Sequence, residues 1–198
     1  MANPNVGMMY PVFAPIESHT DGSMPTYGSG VVIHEARNCN ITKTYNDNPL
    51  YGDDRIVDDD NGLQALTASF EPTGLSDSDR VLLFGEEEIA VGGLTCQVES
   101  DNETPYGGFG YIRKMRNNGT KKYEAWIILK IKFKEESQNT ATKEGSISWN
   151  TPTLNGRAAG INIDASGKIR FRIHETFESI SAAKSWINTV LNVSSATT

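Results

Sequence analysis

The sequence predicts a mostly β fold, and three observations predict it. The 26 Gly and Pro residues among 198 are spread along the chain, as in proteins with many turns between short strands. Apolar and polar residues alternate over short stretches such as residues 63–70 and 168–174. Asn118-Gly119 is a strong two-residue turn signal, and it predicts a long β-hairpin over residues 106–133.

The chain is predicted to have three parts. Residues 1–28 are rich in Pro, Met and Gly and predict an N-terminal arm with one extended piece at residues 11–16. Residues 29–193 predict the main β domain, which includes an acidic loop over residues 46–62. Residues 194–198 predict a flexible tail. No run of 18 apolar residues and no signal-peptide pattern is present, so we expect a cytosolic chain without a membrane partner.

Shorter elements follow from local patterns. Ser76 is predicted to cap a short helix that stops at Gly85, and the run of Glu residues at 86–88 is predicted to be a solvated loop. Strands are predicted at residues 30–46 (one or two strands), 55–57, 63–70, 94–98, 146–154 and 168–174. A C-terminal helix is predicted to begin at Ser179, with a buried stripe made of Ile180, Ala183, Ile187, Val190 and Leu191.

Centring the long hairpin on Asn118-Gly119 fixes which of its residues face each other. Tyr111 is then paired with Trp126, and Arg113 with Glu124. The odd-numbered residues of 123–133 are apolar, so the second strand is predicted to be buried on one face only. Ile169, Phe171 and Ile173 are expected to face inward from a later strand. The residues expected in the core or supporting the fold are Tyr111, Trp126, Ile127, Leu129, Ile131, Trp149, Phe171 and Trp186.

The net charge of −7 hides two halves of opposite sign in the middle of the chain. Residues 47–103 hold fifteen acidic and two basic residues, a net charge of −13, and residues 104–146 hold nine basic and four acidic residues, a net charge of +5. Two interpretations stay open. The halves are solvated faces, or they steer head-to-tail contact between copies of the chain.

No catalytic constellation, metal site or cofactor motif is apparent, so we expect a protein that is not an enzyme and binds no cofactor. The three His and two Cys residues have no zinc-ligand spacing, and the Gly-rich stretches lack the context of a nucleotide loop. Cys39 and Cys96 are expected to be reduced thiols. The tryptophans at 126, 149 and 186 fit either a sugar-binding face or core positions.

Two charged clusters are candidate sites. The acidic one fits solvated carboxylates, a contact between subunits or a calcium site, although it lacks the EF-hand spacing. The basic one crowds the hairpin tip and fits either nucleic-acid binding or contact with an acidic neighbour. The acidic residues are Asp53, Asp54, Asp58, Asp59, Asp60 and Glu71, and the residues of the basic tip are Arg113, Lys114, Arg116, Asn118, Gly119, Lys121 and Lys122.

Four stretches carry a resemblance to a known family. They are Tyr10-Pro11-Val12-Phe13-Ala14-Pro15-Ile16, Tyr51-Gly52-Asp53-Asp54, Pro105-Tyr106-Gly107-Gly108-Phe109-Gly110-Tyr111, and Ile147-Ser148-Trp149-Asn150-Thr151-Pro152-Thr153-Leu154. In this order and at these distances they resemble the major tail protein family of long-tailed, non-contractile bacteriophages and prophages of Gram-positive hosts. Trp186-Ile187 also fits the C-terminal helix of that family.

The resemblance implies a structural protein of the virion tail that is assembled in the host cytoplasm. It implies an antiparallel β-sandwich flanked by a short helix, assembled as hexameric rings. The rings stack into a tube, with strands from every subunit forming an inner β-barrel through which DNA passes. The implied partners are other copies of the chain, the tail terminator and tail tip proteins, the tape measure protein in the lumen, and genomic DNA in transit without sequence-specific binding. A carbohydrate- or surface-binding β-sandwich module is the alternative, and a small hydrolase is a third class.

Two hypotheses follow from the charges and the resemblance. Several residues of the acidic cluster are expected to face the lumen or the contact between rings, which a ring structure with all six on the outer wall would disprove. The basic tip, residues 113–122, is expected to dock on a neighbouring subunit. Tube assembly that survives deletion of Asn118 and Gly119 would disprove this second contact.

Overall fold

The computed structural model of the chain describes residues 5–33, 35–46, 48–59, 62–101, 103–117, 120–137 and 151–194. Over these residues the protein is mostly β and its paired strands run antiparallel, as predicted. The two helices are α1 (Asp77–Phe84) and α2 (Ile180–Val190). The strands are β1 (Asn5–Ser18), β2 (Thr26–Tyr27), β3 (Val31–Val32), β4 (Ala36–Tyr45), β5 (Pro49–Gly52), β6 (Arg55–Asp59), β7 (Leu63–Pro72), β8 (Glu87–Val91), β9 (Leu94–Val98), β10 (Gly107–Asn117), β11 (Thr120–Ser137), β12 (Thr153–Ala158), β13 (Ile161–Asn162), β14 (Ile169–Arg170) and β15 (Arg172–Phe177).

Nine strands form one sheet in the order β2-β1-β10-β11-β12-β7-β4, with β15 also paired to β11 and β3 to β1. The predicted register of the long hairpin is confirmed, because Tyr111 lies opposite Trp126 and Arg113 opposite Glu124. Three smaller two-stranded sheets are formed by β5 with β6, β8 with β9, and β13 with β14.

The large sheet curls so strongly that it supplies both walls of its main core. Phe109 of β10 and Phe70 of β7 have two strands between them, which would separate them by about 14 Å in a flat sheet. Their ring centroids are instead 5.2 Å apart. Phe133 packs edge-on against Phe109 at 5.1 Å, and Phe13 packs against Phe133 at 6.1 Å. All four rings are fully buried, and this aromatic cluster holds the two walls together.

A β-bulge in β11 corrects the prediction that this strand is buried on one face only. Gly107 pairs with Ile131 whereas Phe109 pairs with Ile128, so β11 has one extra residue between these pairs. The extra residue reverses the alternation of side chains. Before the bulge, Ala125 and Ile127 face a second core; after it, Ile131 joins the main core.

The bulge is also where the outer edge of β11 changes partner. Residues 123–128 pair with β15 and residues 131–137 pair with β12. At the junction, the Leu129 amide donates to the Phe171 carbonyl and the Lys130 carbonyl accepts from the Ala159 amide. The buried Leu129 carbonyl accepts a hydrogen bond of 2.8 Å from the Tyr27 hydroxyl. Burial raises the pKa of Tyr27, so this phenol keeps its proton and remains the donor.

The second core lies between the sheet and α2. Ala183, Ile187 and Leu191 of the predicted stripe are fully buried there. The helix can approach closely because β10 presents glycine: a Cβ at Gly108 would lie 2.7 Å from a Leu191 methyl, and one at Gly110 would lie 2.9 Å from methyls of α2. The Gly-rich stretch at the start of the hairpin is therefore a docking surface for a helix.

The short helix α1 has the ends that the sequence predicts. Ser76 and Asp79 form a reciprocal capping box at its N-terminus, and Gly85 closes it in the left-handed conformation with φ of 74°. Glu86, predicted to be solvated, is instead buried and lies 3.5 Å from the Arg80 guanidinium, which also pairs with Glu135 at 2.9 Å. The same polar network ties α1 to the end of β11.

The structure corrects three further expectations. Residues 5–18 of the predicted arm form β1, which pairs along β10 and buries Val12, Phe13 and Ala14. The predicted acidic loop contains a β-hairpin instead: β5 pairs with β6, and Asp53 and Asp54 form the turn between them. Ile169, expected to face inward, is 61% exposed. Most of the predicted strand over residues 146–154, and residues 195–198 of the tail, lie outside the described residues.

We expect Tyr27→Phe to lower the free energy of unfolding by about 1–3 kcal/mol, because it removes the donor to a buried carbonyl at the bulge. Urea denaturation measures the change. Tyr45→Phe is the matched control, since Tyr45 is 50% exposed and its variant should change stability by less than about 0.5 kcal/mol. Equal effects of the two variants would show that the hydroxyl of Tyr27 does not stabilise the bulge.

Candidate interaction surfaces

The structure does not bring the six acidic candidates together. Asp53 and Asp54 form the turn between β5 and β6 with φ of 49° and 62°, the two left-handed positions that a two-residue hairpin turn of type I′ requires. Both are exposed. Glu71 lies on β7, eight residues beyond Leu63, at which β7 begins, or about 26 Å along the strand. Asp58 and Asp59 belong to β6, and Asp60 lies outside the described residues.

The β5–β6 hairpin is an extension of the β4–β7 hairpin. The Asn46 amide donates to the Gly62 carbonyl at 2.8 Å, which continues the β4–β7 pairing toward β5 and β6. Neither β5 nor β6 pairs with any other strand of the described chain. The exposed apolar side chains of this hairpin are Tyr51, Ile56 and Val57, whose exposed fractions are 67%, 57% and 59%. An isolated two-stranded hairpin is marginally stable in water, so this one is a candidate for contact with another molecule.

The β8–β9 hairpin is a second small projection with a different tip. Ile89, Val91 and Leu94 are its exposed apolar residues. Its turn is formed by Gly92 and Gly93, both with positive φ, so the tip carries no charge. The two hairpins share an apolar surface but differ in the chemistry of their ends.

The basic tip of the long hairpin uses part of its charge within the chain. Arg113 lies 3.6 Å from Glu124, and Lys122 lies 2.9 Å from Glu178. Arg116 and Lys121 are exposed, Lys114 is half-buried, and Asn118 and Gly119 lie outside the described residues. The positive surface that remains for a partner is therefore smaller than the sequence suggests.

The two described tryptophans are packed against other side chains. The indole of Trp126 stacks on His174 with ring centroids 4.1 Å apart, faces the Arg172 guanidinium at 4.0 Å and donates to Glu124 at 2.6 Å. Trp186 packs on Phe177 at 6.0 Å. Neither is an open aromatic platform for a sugar ring, and Trp149 lies outside the described residues. Tyr111, Ile127, Leu129, Ile131 and Phe171 are buried.

One region of the large sheet has a buried face and a polar face. It consists of β4, β7, β12 and the part of β11 after the bulge, in the order β11-β12-β7-β4. Leu66, Ala68, Phe70, Ile131, Phe133 and Leu154 face the main core. The residues that alternate with them along each strand lie on the opposite face of the sheet. The polar residues of that face are Asn38, Asn40, Thr42, Thr67, Ser69, Glu71, Lys132, Lys134, Asn155 and Arg157.

Both edges of this four-stranded region are free of strand pairing within the described chain. The ten-residue strand β4 pairs with β7 on one side only. Pairing between β10 and β11 ends at Ile131, so residues 132–137 have β12 on one side and no strand on the other. Unpaired edges of this length are templates for pairing with another chain.

A basic cleft of about 390 Å³ opens on the polar face beside the bulge. Lys132, Lys134 and Arg157 line it, together with the ring of Tyr106. The ammonium groups of Lys130 and Lys132 lie 4.6 and 4.2 Å from the centroid of that ring. Lys132 also pairs with the exposed carboxylate of Glu103, whose pKa is lowered by this ion pair. No described carboxylate pairs with Lys134 or Arg157.

Sequence reasoning missed the free edges and the cleft. Lys130, Lys132 and Lys134 alternate along one strand, a signal that could have indicated a basic sheet face. Arg157 comes from another strand, and only the curl and register of the sheet bring it beside them.

Little in the described chain offers chemistry for a reaction. No three His, Cys, Asp or Glu side chains among the described residues come together as metal ligands would. Burial raises the pKa of the Cys39 thiol to about 12, and burial also raises the pKa of Tyr111 to about 12. Both groups keep their protons at neutral pH, where a nucleophile must be ionised.

No protein-family model matches the chain, and no curated protein is significantly similar to it. None of the helices in the described parts of the chain has the length and apolar character needed to cross a bilayer.

We expect Cys39 to be alkylated by iodoacetamide at pH 8 far more slowly in the folded protein than in urea. Raising its pKa from 9.0 to about 12 leaves about a thousandfold less thiolate. The folded state holds this proton more tightly, so the corresponding stability is present below pH 9 and is lost as the pH rises toward 12. Mass spectrometry measures the alkylation rate of Cys39 in the folded protein and in urea. Cys96 on the exposed β8–β9 hairpin serves as the internal reference. Equal Cys39 rates in the two states would contradict the prediction.

Proposed function

We propose that this chain is a structural subunit that polymerises through its sheet edges into rings, which stack into a tube. In keeping with the resemblance of its sequence to phage major tail proteins, we propose hexameric rings that form the tail tube of a virion and conduct DNA. Assembly takes place in the host cytoplasm. The partners are other copies of the chain, terminator and tip proteins at the tube ends, and a tape measure protein in the lumen.

The observation that carries the proposal is the four-stranded region with one polar face and two free edges. Its core face is buried against the rest of the domain, so that face cannot be an interface. Its free edges, β4 and residues 132–137 of β11, run antiparallel to each other because three antiparallel pairings separate them. The β4 edge of one copy can therefore join the β11 edge of the next copy by an ordinary antiparallel ladder, and a closed ring removes every free edge.

The dimensions suit a tube for duplex DNA. Six copies with four strands each give a 24-stranded barrel. With strands about 4.8 Å apart and tilted near 45°, its backbone diameter is roughly 50 Å, and roughly 40 Å remain inside the side chains. Duplex DNA is about 20 Å wide, so it passes with a layer of water around it.

The lumen that this arrangement implies is polar and not strongly acidic. Its wall is the polar face, where amides and hydroxyls predominate and the charged residues are Glu71, Lys132, Lys134 and Arg157. Of the acidic candidates whose side chains the structure describes, Glu71 alone belongs to this face. Asp53 and Asp54, at the end of a projecting hairpin, are assigned to contacts between copies and not to the wall.

The edge proposal is tested by proline at neighbouring positions of β4. Adjacent residues of an edge strand point their amides alternately toward the sheet and away from it, so Thr42→Pro and Lys43→Pro remove one amide of each kind. We expect one variant to lose stability. The other should keep the melting temperature of the parent protein and lose ring assembly, because the blocked amide serves only the neighbouring copy.

Negative-stain electron microscopy of the purified protein provides the readout, and far-UV circular dichroism reports the fold. The parent protein should form rings or tubes. Rings from both proline variants would disprove pairing through β4, and a parent protein that stays monomeric at high concentration would disprove the function itself.

A further inference from the structure

We propose that the tip of the β5–β6 hairpin of one copy binds in the basic cleft of a second copy. This inference rests on the proposed function in one respect, which is that copies of the chain come into contact. It gives the cleft a ligand class, carboxylates on a narrow β-turn, and it gives the projecting hairpin a partner.

The cleft is built for anions. Lys134 and Arg157 have no carboxylate partner among the described residues, and the third cation, Lys132, is held by a carboxylate that is itself exposed. Unpaired cations on neighbouring strands repel one another, so a ligand that brings two carboxylates is favoured. The Tyr106 ring adds an apolar wall against which an aromatic or aliphatic side chain can pack.

The hairpin tip supplies the matching groups. Residues 49–59 contain four Asp and one Arg, a net charge of −3. Asp53 and Asp54 occupy the two corners of the turn, the Gly52–Arg55 pair follows, and the exposed Tyr51 and Ile56 form the next pair of the ladder. The hairpin end thus offers carboxylates for the cations of the cleft and apolar groups for the ring of Tyr106.

The charge of its tip favours the β5–β6 hairpin over the other two hairpins as the ligand of the basic cleft. The β8–β9 hairpin ends in Gly92 and Gly93 and offers no carboxylate at its tip. The tip of the long hairpin is basic and is repelled by the cleft. Within one copy, Asp53 and Asp54 are not among the described residues that line the cleft, so the carboxylates of the tip do not already occupy it.

Ring assembly brings the two surfaces near each other. The hairpin of β5 and β6 continues from β4, the edge strand that joins β11 of the neighbouring copy. Lys132 and Lys134 of the cleft are on that same β11. Docking then neutralises cations on the wall of the tube, where free cations would hold DNA phosphates by counterion release.

Cross-linking between two single-cysteine proteins tests the contact. Cys39 and Cys96 are first replaced, and then Arg55→Cys, next to the tip, and Gln64→Cys, an exposed position that lines the cleft, are made in separate proteins, so that every cation of the cleft is kept. One protein is labelled with ¹⁵N, the two are assembled together, and a short bismaleimide is added. We expect a mixed-isotope 55–64 product at least about tenfold more abundant than the product of the control pair Leu94→Cys with Gln64→Cys, because Leu94 lies near the uncharged tip of the other hairpin.

The failures of the two proposals are distinguishable. Rings or tubes without an excess of the 55–64 product overturn the inference and leave the proposed function intact. An excess of this product in particles that never form rings supports the docking and contradicts the ring. Absence of both the product and rings overturns both.

Charge removal provides an independent measurement. Asp53→Asn with Asp54→Asn keeps residues that tolerate positive φ, so the turn is retained while two charges are lost. We expect the critical concentration for assembly to rise roughly tenfold at low salt and the difference to vanish near 1 M salt, where charges are screened beyond about 3 Å. Glu99→Gln with Asp101→Asn removes the same charge elsewhere and should have no such effect. Equal shifts from both pairs would overturn the inference.

Discussion

The constraint on which the rest of the structure depends is that the odd-numbered residues of β11 are buried in two different cores on opposite faces of the sheet. A strand with strict alternation could not send its odd-numbered residues to two different cores. The bulge after Ile128 solves this with one extra residue, so that Ile127 faces α2 and Ile131 faces the aromatic cluster. The buried Leu129 carbonyl at the bulge is bound by the Tyr27 hydroxyl, which links the N-terminal part of the chain to the centre of the sheet.

The same bulge divides the sheet into two functional halves. Before it, β11 pairs with β15, and α2 covers the sheet face on a surface of glycines. After it, β11 pairs with β12, and one sheet face is left polar and uncovered. The first half is closed by the chain's own helix, whereas the second ends in two edges that have no strand partner in the described chain.

The two projecting hairpins, like the edges of the large sheet, have no further strand partner in the described chain. The β5–β6 hairpin places exposed apolar side chains and two carboxylates at the end of a long extension, and the basic cleft lies on the sheet without a sufficient internal partner. Each surface by itself is unfavourable or neutral for an isolated molecule. Their opposite charges are what the proposed assembly of several copies would use.

Local patterns in the sequence were enough to predict the strand-rich class, the register of the Asn118-Gly119 hairpin, the Ser76 cap with Gly85, and the buried stripe of α2, because each depends on residues close in the chain or paired by one turn. They did not predict that β1 belongs to the sheet or that Glu86 is buried beside Arg80, because those outcomes depend on partners distant in sequence. The odd-numbered apolar residues of β11 predicted one buried face, although the unbroken apolar run Trp126-Ile127-Ile128-Leu129 coincides with the segment before the bulge. The sequence by itself determined the strand-rich class, the register of the long hairpin and where charge accumulates. Only the tertiary structure decided which edges stay free and which cations share a cleft, because the curl of the sheet brings together residues that no local pattern relates.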